Sequence, residues 1–230
     1  MIPRKIHYCW FGGKEKPHEV LRFIETWRKH CPDYEIKEWN EKNFDVHLNR
    51  YTEQAYNAGK WAFVSDVARL WALVHEGGIY MDTDVEVVRP FDELLQEKAF
   101  IGFEGTQWIG TNIIAAEEGN SFLKEFLNDY NNRAFAESNG NFNQTTNVEE
   151  ITKRFVARYS IEKDGKKQQA GEFTIFPTDY FSPYDYIDGR THSTPNTYSI
   201  HRFSQSWIKR NKFVTLLSQW WHRVCGVRMK

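Results

Sequence analysis

The 230-residue chain has only three cysteines, at positions 9, 31 and 225, and none of them shares a CxxC spacing. This odd, scattered set argues against a disulfide framework and against a cysteine-based zinc site. The longest run without a charge, Gly105–Ala116, is too short to span a bilayer, and the start MIPRKIHYCW lacks the apolar core of a signal peptide. We therefore expect a soluble chain in a reducing compartment, the cytoplasm.

Three common catalytic and phosphate-binding motifs are also missing. The sequence contains no GxGxxG, no GxxxxGK[ST] and no GxSxG. These absences exclude the dinucleotide-binding fingerprint, the Walker phosphate loop and the nucleophile elbow of the hydrolases.

Acidic residues stop at Asp188, so charge is distributed unevenly along the chain. Residues 189–230 carry eight lysines and arginines without an acid, whereas residues 1–188 have a net charge of −9. A basic segment of this kind usually meets an anionic partner, either nucleic acid or a membrane surface. The acidic body argues against nucleic acid.

The basic segment also has apolar residues at helical spacing. We predict an amphipathic helix over residues 208–230, appended to a single domain over residues 1–207. Two placements stay open for this helix: docking on the core, or lying in a membrane interface at the inner face of the membrane. Its apolar stripe consists of Phe213, Leu216, Leu217, Trp220, Trp221 and Val224.

Apolar periodicity elsewhere predicts strands that alternate with helices, the pattern of an α/β sheet with helices on both faces. Polar runs rich in Gly and Asn predict loops at Glu137–Thr145, Lys163–Gly171 and Asp188–Thr197. The predicted strands are Ile6–Phe11, Tyr34–Trp39, Ile79–Val88, Phe100–Phe103 and Ile109–Ala115. The predicted helices are Pro17–His30, Leu48–Asn57, Lys60–Glu76, Ser121–Phe135 and Val148–Arg158.

Two acids stand two residues apart in the predicted strand Ile79–Val88. Asp82 and Asp84 should therefore project from one face, near the end of the strand. Paired carboxylate oxygens suit Mg²⁺ or Mn²⁺. Such a cation would offset the repulsion between these acids and a diphosphate, about 4 kcal/mol per close charge pair at an effective dielectric of 20.

Three other interpretations of this acid pair stay open. A calcium-binding loop would need Gly at its sixth position, where this chain has Val87. A phosphatase-type pair normally follows the first strand of its domain, whereas this pair comes late in the chain. Exposed strand carboxylates without any ligand are the third interpretation.

The preceding helix carries a narrow polar arc on an otherwise apolar surface. Ser65, Asp66, Arg69 and Glu76 share this arc. Asp66 and Arg69, three residues apart, can form either a hydrogen-bonding fork for a ligand or a buried salt bridge.

Three motifs, taken together in this order, resemble one enzyme family. They are Ile2–Gly13, then Ala62-x-x-Ser65-Asp66-x-x-Arg69 followed by Gly77-Gly78-Ile79-Tyr80-x-Asp82-x-Asp84, and finally His201 with Ser206-Trp207. They resemble the glycosyltransferases with a DxD-containing sugar-binding region, a family 32-like group. It includes capsular polysaccharide enzymes and initiating mannosyltransferases.

The resemblance implies a GT-A type α/β fold with a mixed, mostly parallel central sheet flanked by helices, a Rossmann-like arrangement. It implies catalytic or sugar-contacting roles for Asp66, Arg69 and Asp82, and metal ligands at Asp82, Asp84 and His201. The metal that the resemblance implies is Mn²⁺ or Mg²⁺. The resemblance also implies nucleotide-sugar contacts for Trp10, stacked on the base, and for Gly12, Tyr80, Ser206 and Trp207.

The activity implied is retaining transfer of a hexose from a nucleotide sugar, a UDP-hexose, to a glycan or lipid-linked saccharide acceptor in surface or capsular polysaccharide synthesis. Glu104 and Asn112 follow the acid pair and are candidates for a base beside the acceptor. Two alternatives stay open: a noncatalytic sugar-nucleotide or glycan-binding protein on the same scaffold, and a metal-dependent phosphohydrolase.

Overall fold

The computed structural model describes residues 1–137 and 140–204, together with residues 219 and 222. The helices of this part are α1 (His18–His30), α2 (Arg50–Asn57), α3 (Trp61–Glu76), α4 (Ser121–Asp129), α5 (Asn147–Tyr159) and α6 (Thr178–Phe181). The strands are β1 (Lys5–Cys9), β2 (Glu35–Trp39), β3 (Gly78–Met81), β4 (Val85–Val87), β5 (Ala99–Glu104), β6 (Trp108–Ala116), β7 (Gln168–Ala170), β8 (Phe173–Phe176), β9 (Tyr184–Asp185), β10 (Arg190–Thr191) and β11 (Ser199–His201).

A seven-stranded sheet in the order β2-β1-β3-β6-β5-β8-β7 forms the centre of the described chain. Strands β2, β1, β3, β5 and β8 run in one direction, and β6 and β7 run against them. Two small ladders, β9 with β10 and β4 with β11, lie outside this sheet. The structure therefore confirms the α/β class and the mixed, mostly parallel sheet that the GT-A resemblance implies.

Each face of the sheet has its own hydrophobic core, because alternate strand residues point to opposite sides. In β3, Ile79 and Met81 belong to the core that includes Trp27 of α1, whereas Tyr80 belongs to the core of α3, α4 and α5. These side chains are nearly or completely buried. Helices thus cover both faces, as predicted.

The end of helix α3 leads directly into β3, a central strand of the main sheet. The helix ends at Glu76, and the capping residue Gly77 has a φ of 60°, a positive value that glycine adopts without strain. A Cβ at Gly77 would lie 2.7 Å from the backbone nitrogen of Glu118. The Gly77-Gly78 pair therefore both stops the helix and allows β3 to begin at once.

The predicted boundaries needed three kinds of correction. The strand predicted over Ile79–Val88 is wrong, because it divides into β3 and β4, which belong to different sheets. The helix predicted to reach Phe135 ends at Asp129 and continues as a 3₁₀ turn, Tyr130–Asn132. The predicted loops Lys163–Gly171 and Asp188–Thr197 contain the short strands β7 and β10.

Several predictions concern residues that lie outside the described part. Ser206, Trp207 and the predicted helix 208–230, apart from Gln219 and His222, belong to this group. Among the described residues, no helix combines the length and hydropathy needed to cross a membrane.

Candidate functional site

The polar residues singled out by the sequence gather at one edge of the main sheet. Strands β1, β2 and β3 are parallel, so their carboxyl ends meet at this edge, the usual binding position in open α/β sheets. Trp10 follows β1 and Asp82 follows β3, while α3 packs beside both strands. Chain topology therefore brings the first and the central motif regions toward one place.

Asp66, Arg69 and Asp82 form a connected charged array at this edge. Arg69 Nη2 lies 3.0 Å from Asp66 Oδ1 and 3.4 Å from Asp82 Oδ1. The side chains of Asp66 and Arg69 are only 12% and 7% exposed, which makes their ion pair a buried one. Burial raises the pKa of Asp66 to about 7, with Arg69 opposing that rise and Asp82 adding to it. Both interpretations of the pair remain compatible with this geometry.

Backbone and aromatic contacts fix the guanidinium of Arg69 in place. Its Nη1 donates to the carbonyl of Thr111 on β6 at 3.0 Å, and its Cζ lies 4.6 Å from the ring centre of Tyr80. The hydroxyl of Tyr80 in turn donates to Asp82 Oδ1 at 2.8 Å. Tyr80 is 2% exposed, so in this structure it supports Arg69 and Asp82 from the core side.

The acid pair lies in a turn, and this corrects the reason given for its geometry. Asp82 is the first residue after β3, and Thr83 and Asp84 form the turn into β4. The backbone nitrogen of Asp82 donates to Asn112 at 2.9 Å, and that of Val85 donates back to Asp82 at 3.1 Å. Alternation along one strand therefore does not explain why the two carboxylates converge; the turn does.

His201 reaches the acid pair because β11 pairs antiparallel with β4, with His201 opposite Val85. Its Nε2 lies 3.3 Å from Asp84 Oδ1, and the backbone nitrogen of Ser204 donates to Asp84 Oδ2 at 2.8 Å. Burial opposes ionisation of Asp84, but His201 and the Ser204 amide outweigh it and hold the Asp84 pKa below its usual range. Burial likewise disfavours charge on His201, yet Asp84 and the neighbouring acids raise its pKa to about 9.

The residues present fit a divalent cation. Asp82, Asp84 and His201 each offer one ligand atom, and these atoms lie within 4.8 Å of one another. Carboxylate oxygens suit Mg²⁺ and Mn²⁺, and an imidazole adds a donor that first-row metals accept. Glu104 lies close enough for burial, Asp82 and Asp84 to raise its pKa, against the effect of His201. A cation would relieve this crowding of acids.

A second group of possible ligands, Asp185, Asp188 and His192, lies at the β9–β10 hairpin. Here the carboxylates have a local structural role. Asp185 Oδ1 accepts from the backbone nitrogen of Ile187 at 2.8 Å, and Asp188 Oδ1 accepts from that of Arg190 at 2.7 Å. These hydrogen bonds shape the hairpin, so the Asp82–Asp84–His201 group is the stronger metal candidate.

A cleft of about 550 Å³ opens beside the end of β1, and Trp10 and Gly12 both line it. The indole nitrogen of Trp10 donates to the carbonyl of Lys14 at 2.6 Å, which holds the ring in place. Gly12 has a φ of +91°, and a Cβ there would lie 2.6 Å from Nε1 of Trp61. Only glycine therefore allows this loop to approach the start of α3 so closely.

Sequence reasoning missed two residues that belong to these surroundings. Trp61 lines the same cleft as Trp10, and its spacing of four from Ser65 and eight from Arg69 was an available signal. Asn147, the first residue of α5, donates from Nδ2 to the carbonyl of Asp66 at 3.0 Å. No short-range sequence pattern predicts the contact of Asn147 with Asp66, because it depends on how α5 packs.

Comparison with known proteins finds a family over this region. Residues 17–101 match the glycosyltransferase sugar-binding region containing the DXD motif. The matched segment includes Asp66, Arg69, Asp82 and Asp84. Over these residues the match confirms the resemblance stated from the motifs.

Two similar proteins come from Schizosaccharomyces pombe. Inositol phosphoceramide mannosyltransferase 3 is 29% identical over 146 residues, covering 58% of this chain and 38% of that protein. Inositol phosphoceramide mannosyltransferase 1 is 28% identical over 150 residues, covering 58% of this chain and 45% of that protein. The chain thus matches less than half the length of these curated relatives.

Among solved structures, the fold is similar to a glycosyltransferase involved in the glycosylation of the major capsid of PBCV-1. That similarity has a TM-score of 0.49 at 12% identity and covers 87% of this chain and 94% of the other.

Proposed function

Because residues 17–101 match a glycosyltransferase sugar-binding region containing the DXD motif, we propose that the chain is a metal-dependent hexosyltransferase that uses a nucleotide sugar. The observation that carries this proposal is the joining of Asp66, Arg69 and Asp82 in one array beside Asp84 and His201. Sugar hydroxyls need paired donors and acceptors, and this array supplies both in a largely buried place.

The donor would span the sheet edge from the cleft to the charged array. Trp10 would stack on the base, with uracil as the proposed base, and the loop at Gly12 would lie against the ribose or phosphates. Asp66 and Arg69 would hold the hydroxyls of the hexose, with Asp82 contacting ribose or sugar. Tyr80 would orient Asp82 and Arg69 through the contacts that it makes with both.

Asp82, Asp84 and His201 would hold Mn²⁺ or Mg²⁺. When bound, the cation supplies Lewis-acid stabilisation of the charge that develops on the departing diphosphate. Asp84 is suited to this role because its own environment keeps it ionised. Ser206 and Trp207, which lie outside the described residues, are proposed from the motif to contact the diphosphate.

The chain's own residues contribute mainly preorganisation. Arg69 is held by Asp66, by the Thr111 carbonyl and by the Tyr80 ring, so its donors need little rearrangement when the substrate binds. We propose transfer with retention, in which the acceptor hydroxyl attacks the anomeric carbon from the side of the leaving group, the bond from that carbon to the diphosphate oxygen breaks, and the departing diphosphate takes the hydroxyl proton. The acceptor is proposed to be a glycan or lipid-linked saccharide of a surface or capsular polysaccharide.

A panel of nucleotide hexoses, assayed for nucleoside diphosphate release with and without Mn²⁺, tests this proposal. We expect release with at least one UDP-hexose, dependent on the metal and lost by at least about 100-fold in Asp84→Asn, since metal charge stabilisation is worth several kcal/mol. The exposed Asp33→Asn is the matched control and should behave like the wild type.

Other outcomes would separate the alternatives. Binding of a nucleotide sugar without any turnover would support a noncatalytic binding protein. Metal-dependent phosphate release from a simple phosphoester, with no sugar transferred, would support a phosphohydrolase. Full activity in Asp84→Asn would contradict the metal role.

A further inference from the structure

The two ring nitrogens of His201 have different surroundings. Nε2 faces Asp84, 3.3 Å from its Oδ1. Nδ1 is buried and, among the residues that the structure describes, has no hydrogen-bond partner. The carboxylate oxygen Oε2 of Glu104 lies 3.9 Å from this nitrogen. A buried imidazole nitrogen without a partner is costly, so the arrangement calls for an explanation.

Packing holds the imidazole in this orientation. The ring of Phe203 lies 4.0 Å from it, centre to centre, and Phe203 also contacts Tyr186. His201 itself is the last residue of β11 and is 9% exposed. The ring therefore has little freedom to turn Nδ1 toward solvent.

Glu104 is placed opposite Nδ1 by the β5–β6 hairpin. It is the last residue of β5 and pairs with Trp108 at the start of β6. Two positions further along β6, Gly110 leaves room for the carboxylate. A Cβ there would lie 3.3 Å from Glu104 Oε2 and 2.7 Å from Asn112 Oδ1. The carboxylate of Glu104 thus occupies a space that a larger residue at position 110 would reduce.

We propose that Glu104 is a positioning residue that accepts a hydrogen bond from Nδ1–H of His201 and so leaves Nε2 bare toward the cation. This inference rests on the proposed metal-dependent function. A neutral imidazole carries one proton, and the partner of one nitrogen decides which nitrogen is free to ligate. Closing the present 3.9 Å separation to a normal hydrogen bond requires a movement of about 1 Å.

This role differs from the two simpler roles of a nearby carboxylate. A direct ligand would act on the cation without His201, and a base would act on the acceptor without changing metal affinity. A positioning residue acts only through His201. The three roles therefore predict different couplings between Glu104 and His201.

A double-mutant cycle on Mn²⁺ affinity, measured by calorimetry without any substrate, separates them. We expect Glu104→Met to weaken Mn²⁺ binding by about 10–100-fold, and Glu104→Gln, whose amide oxygen still accepts, to weaken it far less. In a His201→Ala background, Glu104→Met should have almost no further effect. The matched control Glu172→Met should bind like the wild type.

Nitrogen hyperfine coupling in the electron spin echo spectrum of bound Mn²⁺ gives a second readout. The coupling should be present in the wild type and in Glu104→Gln, reduced in Glu104→Met and absent in His201→Ala. Unfolding curves of every variant would identify any variant that fails to fold. If Glu104→Met does not fold, the Mn²⁺ affinity and the spectrum of Glu104→Gln test the proposal instead.

Two results would overturn the proposal. One is unchanged Mn²⁺ affinity and coupling in folded Glu104→Met. The other is an equal loss of affinity from Glu104→Met with or without His201, which would make Glu104 a direct ligand. A wild type that binds neither Mn²⁺ nor Mg²⁺ would contradict the proposed metal-dependent function as well, so the two failures are distinguishable.

Discussion

At the scale of single residues, the two aspartates of the candidate site are driven in opposite directions by their surroundings. Asp66 is buried beside one arginine, and burial raises its pKa to about 7. Asp84 is also buried, but an imidazole and a backbone amide favour its anion and lower its pKa. The anionic form of the same type of side chain is therefore disfavoured at position 66 and favoured at position 84.

Residue spacing predicted the first of these contacts and could not predict the second. Asp66 and Arg69 are three apart on a helix, so their contact follows from helical geometry. The contacts of Asp84 with His201 and of His201 with Glu104 join residues far apart in the chain, and they depend on the pairing of β4 with β11. The family resemblance implied that His201 is a metal ligand, whereas no local sequence pattern predicted that Glu104 would lie beside it.

Buried His7 should make the stability of the fold depend on pH. Its Nε2 lies 2.7 Å from the Gly77 carbonyl, and its Nδ1 accepts from the indole nitrogen of Trp39 at 3.0 Å. These contacts fit the neutral ring with its proton on Nε2. Burial lowers the pKa of His7 from 6.5 to about 4.

Between these two pKa values the unfolded chain holds a proton that the folded chain does not. The stability contributed by neutral His7 is therefore complete above about pH 6.5 and is lost as pH falls toward 4, by roughly 3 kcal/mol in all. Denaturant unfolding at about pH 7 and about pH 4.5 should show a smaller acid loss in His7→Asn than in the wild type. The exposed His18→Asn is the control; an acid loss equal in wild type and His7→Asn would refute the prediction.

At the scale of elements, the acid pair depends on a break between two strands. The apolar alternation of residues 79–88 is real, and it predicted one continuous strand. The two halves of this segment pair with different strands. β3 lies in the main sheet beside β6, whereas β4 lies outside that sheet and pairs with β11. Alternation reports which side chains are buried but not which strand they pair with.

Apolar patterns were sufficient for the long elements and weak for the short ones. Helices α1 and α3 and strands β5 and β6 begin and end within two residues of the predicted positions. Strand β8, with the sequence FTIF, was not predicted, although Gly171 and Pro177 bound it. A four-residue apolar run carries too little periodicity to distinguish a strand from a buried loop.

The close contact between the loop after β1 and the start of α3 should be sensitive to any side chain at position 12. In Gly12→Ala the new methyl group would collide with Trp61, 2.6 Å away, in a left-handed conformation with φ of +91°. We expect a loss of roughly 1–3 kcal/mol in the free energy of unfolding. UDP binding, measured by calorimetry, should weaken as well, because Trp61 is displaced from the cleft.

Gly13→Ala is the matched control for backbone strain. Gly13 also has a left-handed φ, +65°, but a Cβ there meets nothing within 4 Å. It should cost about 1 kcal/mol or less and leave UDP binding near the wild-type value. Equal effects of the two substitutions on both measurements would show that the approach of Trp61 does not matter.

At the scale of the whole molecule, the candidate site combines distant parts of the chain on one scaffold. The loop after β1, helix α3, the β3–β4 turn, the β5–β6 hairpin and β11 each contribute residues. Sequence motifs named most of these segments, because each carries its own local signature. Their assembly at one sheet edge follows from strand order, which the sequence pattern did not provide.

Positive and negative charges are also separated along the whole chain. The acidic body and the basic segment 189–230 differ strongly in net charge. Two placements of the predicted amphipathic helix 208–230 stay open, docking on the core or lying at an anionic membrane surface, and the second would suit a lipid-linked acceptor. The helix itself, and the division into a domain over 1–207 and an appended helix, stay predictions from the sequence.

Anomalous diffraction from crystals grown with Mn²⁺ and UDP would locate the proposed metal site without reference to activity. We expect one strong manganese peak bounded by Asp82, Asp84 and His201, with the diphosphate beside it and the base in the cleft of Trp10. A peak at the Asp185–Asp188–His192 hairpin instead, or UDP bound away from Asp66 and Arg69, would contradict it.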